Sequence, residues 1–236
     1  MPRYCCSSLQ PLCKSAWRWI KNKGVHQGLA LAIIVLFFAI VLLATGYWWR
    51  YHSLACPVSL SWLVENPYMN AVAGPDKIFI RMRLEEGMRL LDVGCGPGRL
   101  TLPAAKWVGE RGEVVALDIQ SKMLDRLGAR ATSQEISNIR LINAGAGDGK
   151  TDKDYFDRAI LVTVLGEISN KNMALTEIYQ ALKQGGILSV TELIPDPHYT
   201  AKNRVRTLCR EAGFTEMEYF GSWAAFTINF VKPDNT

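Results

Sequence analysis

The stretch that most constrains the fold of this chain is RLLDVGCGPG, residues 89–98. An apolar run leads to an acid, and three glycines then follow at alternating positions, Gly94, Gly96 and Gly98. A buried strand that runs into a glycine-rich turn and a helix places backbone N–H groups beside a ligand at the carboxyl edge of a parallel sheet. Glycine suits a backbone that approaches such a ligand closely. Because ordinary tight turns also use glycine, the remainder of the chain decides between the two interpretations.

Strand-like apolar runs alternate with helical patterns over the chain. Strands are predicted over residues 89–93, 113–118, 138–143, 156–164 and 186–192, and helices over 100–108, 121–131, 170–183 and 201–212. Gly185 and Gly186 are expected to end the third of these helices. A closing pair of strands, 215–220 and 224–231, has no helix between its members. This order predicts an α/β fold with a doubly wound, mostly parallel sheet of seven strands, whose last strand inserts antiparallel.

An uncharged run covers residues 24–49 and includes LALAIIVLFFAIVLLATG at positions 29–46. About 20 apolar residues in a helix span a bilayer core, and tryptophan and tyrosine residues flank this run on both sides, as at membrane interfaces. A signal peptide has a shorter apolar region and a small-residue cleavage site, and a buried core helix has a polar face. The run therefore predicts one transmembrane helix over residues 28–49, which would anchor the chain in a lipid bilayer.

The charges separate the chain into segments. Residues 1–50 carry six basic residues and no acid, whereas the rest carries 21 basic and 22 acidic residues. A nucleic-acid binder would carry its basic excess on the folded domain, so no nucleic-acid partner is expected. We predict a basic leader (1–27), the membrane helix (28–49), helices leading into the domain (50–88) and the ligand-binding domain (89–236). The leader fits both a cytoplasmic N-terminus and an organelle-targeting peptide, and the orientation stays open.

Two acids at strand ends indicate the type of ligand. Asp118 lies 24 residues after Gly94, at the end of the neighbouring predicted strand, where it would accept hydrogen bonds from a ribose diol. The alternative is that Asp118 caps the following helix. A nicotinamide dinucleotide site needs glycine where Arg99 stands, and Asp92 suits a cationic group better than a diphosphate. The cysteines form no CxxC pairs, so no metal site is expected.

At this point a family resemblance is visible. The segments LLDVGCGPG, VVALDIQ, NIRLIN and LKQGGILSVTEL, in this order, resemble class I S-adenosylmethionine-dependent methyltransferases, above all their UbiE-like or type 11 group, over about residues 55–236. The resemblance implies that S-adenosyl-L-methionine is the cofactor. Its implied contacts are Asp92 with the amino group, Gly94, Cys95, Gly96 and Gly98 with the methionine part, Asp118 with the ribose, Ile119, Gly145 and Ala146 with the adenine, and Val164 on the methyl-donor side. The family's usual acid next to adenine is absent at Gly145 and Ala146, and Asp148 follows two or three residues later.

Methyl transfer by in-line displacement relies mainly on alignment and desolvation, so it needs no fixed catalytic triad. The candidates for a base or an acceptor contact are Glu192, His198 and Tyr199 around the end of the fifth strand, with Tyr68 and Glu167 as further possibilities. A loop histidine without a role is an equally good interpretation of His198, and Glu167 also fits a carboxylate at a helix start.

The membrane segment favours a lipid, a quinone precursor or another apolar small molecule as the methyl acceptor. Two alternatives remain open: a protein methyltransferase acting on lysine in a membrane complex, and a non-catalytic module that binds S-adenosylmethionine. Because the cofactor is made in the cytosol, we expect a single-pass membrane protein whose domain faces a compartment that contains it, either the cytosol or an organelle interior.

Overall fold

The structure is a computed structural model that describes residues 30–45, 70, 73–194, 196–222 and 225–234. The chain divides into two units, the first ending at His52 and the second beginning at Ser53. Most of the helical segment predicted for residues 50–88 lies outside the described residues, and so does Tyr68.

The described part of the first unit is one helix, α1, over residues 30–45. Its apolar side chains are solvent-exposed; those of Leu42 and Leu43, for example, are 71% and 74% exposed. Within the described ranges, no helix is both long and apolar enough to cross a membrane. The predicted transmembrane helix over residues 28–49 is therefore not confirmed. Residues 28–29 and 46–49, at the two ends of that prediction, lie outside the described residues.

The second unit contains a seven-stranded sheet in the order β3-β2-β1-β4-β5-β7-β6. The strands are β1 (Arg89–Val93), β2 (Glu113–Asp118), β3 (Ile139–Asn143), β4 (Phe156–Val162), β5 (Leu182–Leu193), β6 (Thr215–Gly221) and β7 (Ala225–Val231). The helices are α2 (Pro75–Arg81), α3 (Thr101–Val108), α4 (Ser121–Ser133), α5 (Lys171–Ala181) and α6 (Lys202–Glu211).

Strand β1 lies at the centre of the parallel part of the sheet, where Leu91 is level with Val115 of β2 and Ala159 of β4. Strand β7 forms a hairpin with β6 and pairs antiparallel with β5, with Val190 level with Ile228. The predicted fold class, a mostly parallel sheet of seven strands with an antiparallel last strand, is confirmed.

Alternate residues of the strands face two helical layers. Leu91, Leu161 and Leu188 belong to a core cluster with residues of α5 and α6, whereas the neighbouring Leu90 and Ile160 pack with residues of α2 and α3. A third cluster joins α4 to α3 and β2. Both faces of the central strands β1, β2 and β4 are thus largely buried, and the ligand site has to lie at an edge of the sheet.

Two strand ends differ from the prediction by two residues or more. Gly185 and Gly186 do not end a helix but lie inside β5, because their backbone groups bond those of Lys232: Gly185 N–H donates to its carbonyl, and Gly186 O accepts from its N–H, each at 2.9 Å. Strand β4 ends at Val162, two residues early, because Thr163 has a left-handed backbone with φ of +57°.

Candidate functional site

The glycine-rich loop links β1 to α3 at the carboxyl edge of the sheet. Gly94, Gly96 and Gly98 all have positive φ values, of +69°, +53° and +92°, a conformation that residues with a Cβ atom rarely adopt. The N–H groups of Gly94 and Cys95 donate to the carbonyl oxygen of Leu117, at 2.8 and 3.2 Å, which ties the loop to the end of β2. The loop is therefore held beside the two strand ends that carry Asp92 and Asp118.

Asp118 is buried at the end of β2 and fixes two backbone segments. Its Oδ2 accepts the N–H of Gly96 at 2.9 Å, and its Oδ1 accepts the N–H of Gln120 at 2.8 Å. Burial raises the pKa of this carboxyl, while the two N–H bonds act in the opposite direction. A carboxylate has about four lone-pair sites, so these bonds leave acceptor capacity for a ligand diol. Asp118 supports the turn before α4 rather than capping it, since the first helical residue is Ser121.

Asp92 is buried at the end of β1, with 4% of its surface exposed. Burial raises its pKa to about 6, although the Thr101 hydroxyl, which donates to Oδ2 at 2.6 Å, and the charge of Arg99 oppose that rise. Near neutral pH the group is thus largely ionised and is poised to take up a cationic partner. Thr101 was not a predicted site residue, because its contact with Asp92 depends on where α3 begins.

Two adjoining pockets open at this edge, and both are lined by Gly94, Asp118, Val164 and Glu167. The first pocket extends over the glycine-rich loop to Asp92, Arg99 and Thr163. The second extends along Ile119 and the residues after β3 to α5. The charged side chains of the described lining are carboxylates except for Arg99: Asp92, Asp118, Glu167 and, in the second pocket, Asp148. Such a surface attracts a ligand with net positive charge.

The loop after β3 folds back so that the carboxylate of Asp148 lies beside Gly145, where the acid usual in the family is absent from the sequence. Asp148 Oδ2 accepts the N–H of Gly145 at 2.8 Å, and Asp148 N–H donates to the Gly145 carbonyl at 3.2 Å. Glu177 of α5 holds the same loop, accepting the N–H of Gly147 at 2.5 Å and that of Thr151 at 3.0 Å. Sequence analysis missed Glu177, because it lies about 30 residues from its partners.

The predicted cofactor residues distribute over both pockets. Asp92, Cys95 and Gly96 line the first pocket, and Ile119, Gly145 and Ala146 line the second. Gly98 is not among the described lining residues of either pocket; instead its missing Cβ makes room for the side chain of Leu127. A cofactor contact at Gly98 stays a prediction.

The predicted acceptor-side residues, Glu192, His198 and Tyr199, are not among the described lining residues of the two pockets. Glu192 is 1% exposed; its Oε2 accepts the N–H of Thr200 at 3.2 Å, and its Oε1 has no hydrogen-bond partner among the described residues. Burial raises its pKa to about 8, so at neutral pH it holds a proton rather than accepting one.

His198 is buried rather than exposed on a surface loop. Its backbone carbonyl lies where a Cβ atom on Gly166 would be, so the segment after β5 packs directly on the loop after β4. Tyr199 contacts the ring of Phe226 edge-on, and Phe226 stacks with Tyr219, with ring centroids 6.0 and 6.3 Å apart. Phe226 is level with Glu192 across β5 and β7, so this aromatic cluster lies at the carboxyl end of β5.

Comparison with known proteins identifies the family to which this chain belongs. The family model described as "Methyltransferase domain" matches residues 84–220. The ubiquinone/menaquinone biosynthesis C-methyltransferase UbiE of Vibrio vulnificus is 36% identical over 110 residues, which are 45% of this chain and 41% of that protein. The chain thus spans less than half the length of this curated relative.

Solved structures show the same fold. A SAM-dependent methyltransferase from Aquifex aeolicus has a TM-score of 0.69 at 21% identity, over 74% of this chain and 98% of that one. The phosphoethanolamine N-methyltransferase 2 of Haemonchus contortus, in complex with S-adenosyl-L-methionine, has a TM-score of 0.60 at 16% identity, over 68% of this chain and 52% of that one.

Proposed function

Because this chain belongs to the methyltransferase domain family, we propose that it transfers the methyl group of S-adenosylmethionine to a carbon atom of an apolar, quinone-like ring. The cofactor of the domain is S-adenosylmethionine. The observation that carries the proposal is the pair of adjoining pockets built on the glycine-rich loop and Asp118. The name of the Vibrio relative supports carbon as the atom methylated and a quinone as the acceptor class.

The charge of the site supports this cofactor. S-adenosylmethionine carries a sulfonium, an ammonium and a carboxylate, and so has a net charge of about +1. The described pocket lining holds several carboxylates, among them Asp92 and Asp118. In the proposed complex Asp118 accepts the ribose hydroxyls and Ile119 packs against the adenine. Asp148, which lies beside Gly145, accepts a hydrogen bond from the adenine amino group.

The aromatic cluster supports an apolar acceptor. Tyr199, Phe226 and Tyr219 lie at the carboxyl end of β5, on the side of the site away from Asp118 and β2. Aromatic side chains bind planar apolar rings by offset or edge-to-face contacts.

The proposed reaction is an in-line displacement. A ring carbon attacks the methyl carbon, the new C–C bond forms as the C–S bond breaks, and the electron pair of that bond returns to sulfur. The ring then loses a proton from the methylated carbon to a base. Thr163 and Val164, directly after β4, line the pocket where the two reactants would meet. Glu192, His198 and Tyr199 remain the proposed acceptor-side residues.

We further propose that the chain associates with a membrane through its first unit and that the domain faces a compartment containing S-adenosylmethionine. The support is the uncharged run over residues 24–49 and the solvent-exposed apolar side chains of α1. An apolar quinone-like acceptor would be concentrated in the same bilayer.

Methyl transfer with a labelled cofactor tests the acceptor. We expect label from S-adenosylmethionine to appear in a membrane lipid extract and not in membrane proteins. Asp118→Asn replaces an oxygen that accepts a backbone N–H, and it should lower transfer by roughly tenfold or more. Asp125→Asn, at an exposed position of α4, is the matched control and should leave transfer unchanged.

The outcomes separate the alternatives. Label confined to protein would support lysine methylation and overturn the lipid acceptor. Tight cofactor binding with no transfer to any fraction would instead indicate a binding module without catalysis.

A further inference from the structure

The second unit carries a basic helix on its surface. Four residues of α6 are basic: Lys202, Arg204, Arg206 and Arg210. The one acid of α6 is Glu211, its last residue. Arg206 pairs with Glu216 at 2.8 Å, but Lys202 and Arg204 are exposed and have no ion pair among the described residues. The start of α6 therefore carries positive charge that no acid of the described chain pairs with.

These two cations are unfavourable for the helix itself. Lys202 and Arg204 lie in the first turn of α6, which contains no acid, whereas the partial positive charge of a helix N-terminus favours acids there. Arg204 also lies near Lys171, the first residue of α5: burial and then the charge of Arg204 lower the pKa of the Lys171 ammonium. Stability of the fold does not explain cations at this place, whereas an anionic partner would.

Exposed apolar side chains lie at the same edge of the sheet. Ile194, directly after β5, is 43% exposed, and Tyr219, near the end of β6, is 37% exposed. Strands β5 and β6 point the same way, because β7 is antiparallel to both, so these residues and the start of α6 lie at the carboxyl edge. Lys202 Nζ is 5.9 Å from the centroid of the Tyr219 ring. We call Ile194, Lys202, Arg204 and Tyr219 the α6 surface.

Cations mixed with exposed aliphatic and aromatic side chains match the interface of a bilayer that contains anionic lipids. We propose that the α6 surface contacts the headgroups of such a bilayer and turns the carboxyl edge of the sheet, with its two pockets, towards the membrane. A nucleic acid or an acidic protein would match the two cations but not Ile194.

The strength of this contact follows from the number of charges. Each basic residue near an anionic membrane raises the affinity about fivefold, and stable attachment needs a second signal. The α6 surface alone would therefore be lost from vesicles on a density gradient, and it orients a domain that another part of the chain holds at the membrane. The inference goes beyond the proposed function and does not depend on the methyl acceptor.

Chemical modification of lysines tests the contact in the full chain. Acetic anhydride acetylates accessible lysines, and mass spectrometry reads each site. Lys202 should react at least about threefold more slowly on vesicles of phosphatidylcholine with phosphatidylserine than on vesicles of phosphatidylcholine alone. Lys153 is the internal control: it is exposed shortly before β4, at the opposite edge of the sheet, and should react equally on both.

Charge removal provides a second measurement. The double variant Lys202→Gln with Arg204→Gln should bind the phosphatidylserine vesicles roughly 10- to 30-fold more weakly than the wild type, with unchanged affinity for phosphatidylcholine vesicles. Lys150→Gln with Lys153→Gln is the matched control, because it removes the same charge from exposed positions between β3 and β4, and it should bind as the wild type does. If the first variant does not fold, lysine modification of the wild type decides.

Equal modification of Lys202 on the two kinds of vesicle, or equal affinity of the double variant and the wild type for phosphatidylserine vesicles, would overturn the proposal. Protection of Lys202 by heparin but not by phosphatidylserine would assign the α6 surface to an acidic polymer instead. Neither readout uses methyl transfer, so a failure of the proposed reaction would leave both unchanged. Lys202 protection without any binding to phosphatidylcholine vesicles would support the α6 surface and count against the membrane contact proposed for the first unit.

Discussion

The three glycines of the loop share a left-handed backbone but meet different neighbours. A Cβ atom on Gly94 would lie 2.6 Å from both methyl carbons of Val164, and one on Gly98 would overlap the Leu127 side chain. A Cβ atom on Gly96 would meet nothing within 4 Å. Gly94 therefore sets how closely the loop after β4 approaches the loop after β1, and with it the width of the site.

Gly94→Ala should damage both stability and cofactor binding. The substitution combines left-handed strain with a clash against Val164, so we expect a loss of about 3 kcal/mol in the free energy of unfolding. Gly87→Ala is the control, because Gly87 also has a positive φ, of +82°, but open space around it. That variant should lose only about 1 kcal/mol.

Urea denaturation and titration with S-adenosylhomocysteine measure the two effects. Equal losses of stability in the two variants would mean that the contact with Val164 contributes nothing beyond backbone strain.

At the scale of single residues, the sequence predicts the site residues that lie at strand ends. Asp92 and Asp118 were predictable because a parallel sheet places its strand ends at one edge. Thr101 and Glu177 were not, because their contacts depend on helix placement that no local pattern specifies. The return of Asp148 to Gly145 depends on the path of one loop, which spacing alone does not give.

At the scale of elements, the end of β5 and the segment after it are joined through the side chain of Glu192. The carboxyl accepts the backbone N–H of Thr200, and Asp196 and Glu167 add negative charge nearby, while Lys171 opposes them. Deprotonation of Glu192 should therefore weaken the packing of this segment on the loop after β4.

Stability should fall with increasing pH because of Glu192. Its pKa in the folded chain is raised from the ordinary 4.5 to about 8, mainly by burial, so the folded state holds the proton more tightly than the unfolded state. The stabilisation is complete below about pH 4.5 and is lost as the pH rises through about 8. Glu192→Gln removes this dependence, and its free energy of unfolding should exceed that of the wild type at pH 9 by on the order of 5 kcal/mol.

Melting temperatures of the wild type and Glu192→Gln between pH 5 and pH 9 provide the measurement. Glu211→Gln, at the exposed end of α6, serves as the comparison and should follow the wild type throughout. Parallel curves for Glu192→Gln and the wild type would show that Glu192 does not titrate in this range.

The helix and strand ends that were predicted wrongly from the sequence are determined by tertiary contacts. Glycine pairs often end helices, yet Gly185 and Gly186 extend β5 because the chain returns at Lys232 to pair with them. The early end of β4 at Thr163 is likewise invisible in a run of β-formers, FDRAILVTV.

For the whole molecule, much of the order of strands and helices was predictable, because parallel neighbours need a crossover connection, usually a helix, and the short link of the closing pair is typical of a hairpin. The helix-free connection from β3 to β4 is the exception. The predicted transmembrane helix is a different case. Its apolar run is plain in the sequence, but the helix described there covers only residues 30–45.

Removing residues 1–52 should separate the two proposed activities. The described lining of both pockets lies between Asp92 and Met173, so a chain of residues 53–236 should bind S-adenosylhomocysteine within about twofold of the full chain. It should no longer float with lipid vesicles on a density gradient, whereas the full chain should. Vesicle binding by the shortened chain would assign the membrane contact to the second unit.

The position of β7 has a consequence for biosynthesis. It is the last of the seven strands to be translated, yet it lies between β5 and β6, inside the sheet. Until residues 225–231 emerge from the ribosome, β5 presents an open row of N–H and C=O groups, and β6 lacks its native partner. The nascent chain therefore passes through a stage in which the edge of the sheet is unpaired. During that stage, pairing of this edge with another polypeptide competes with completion of the domain.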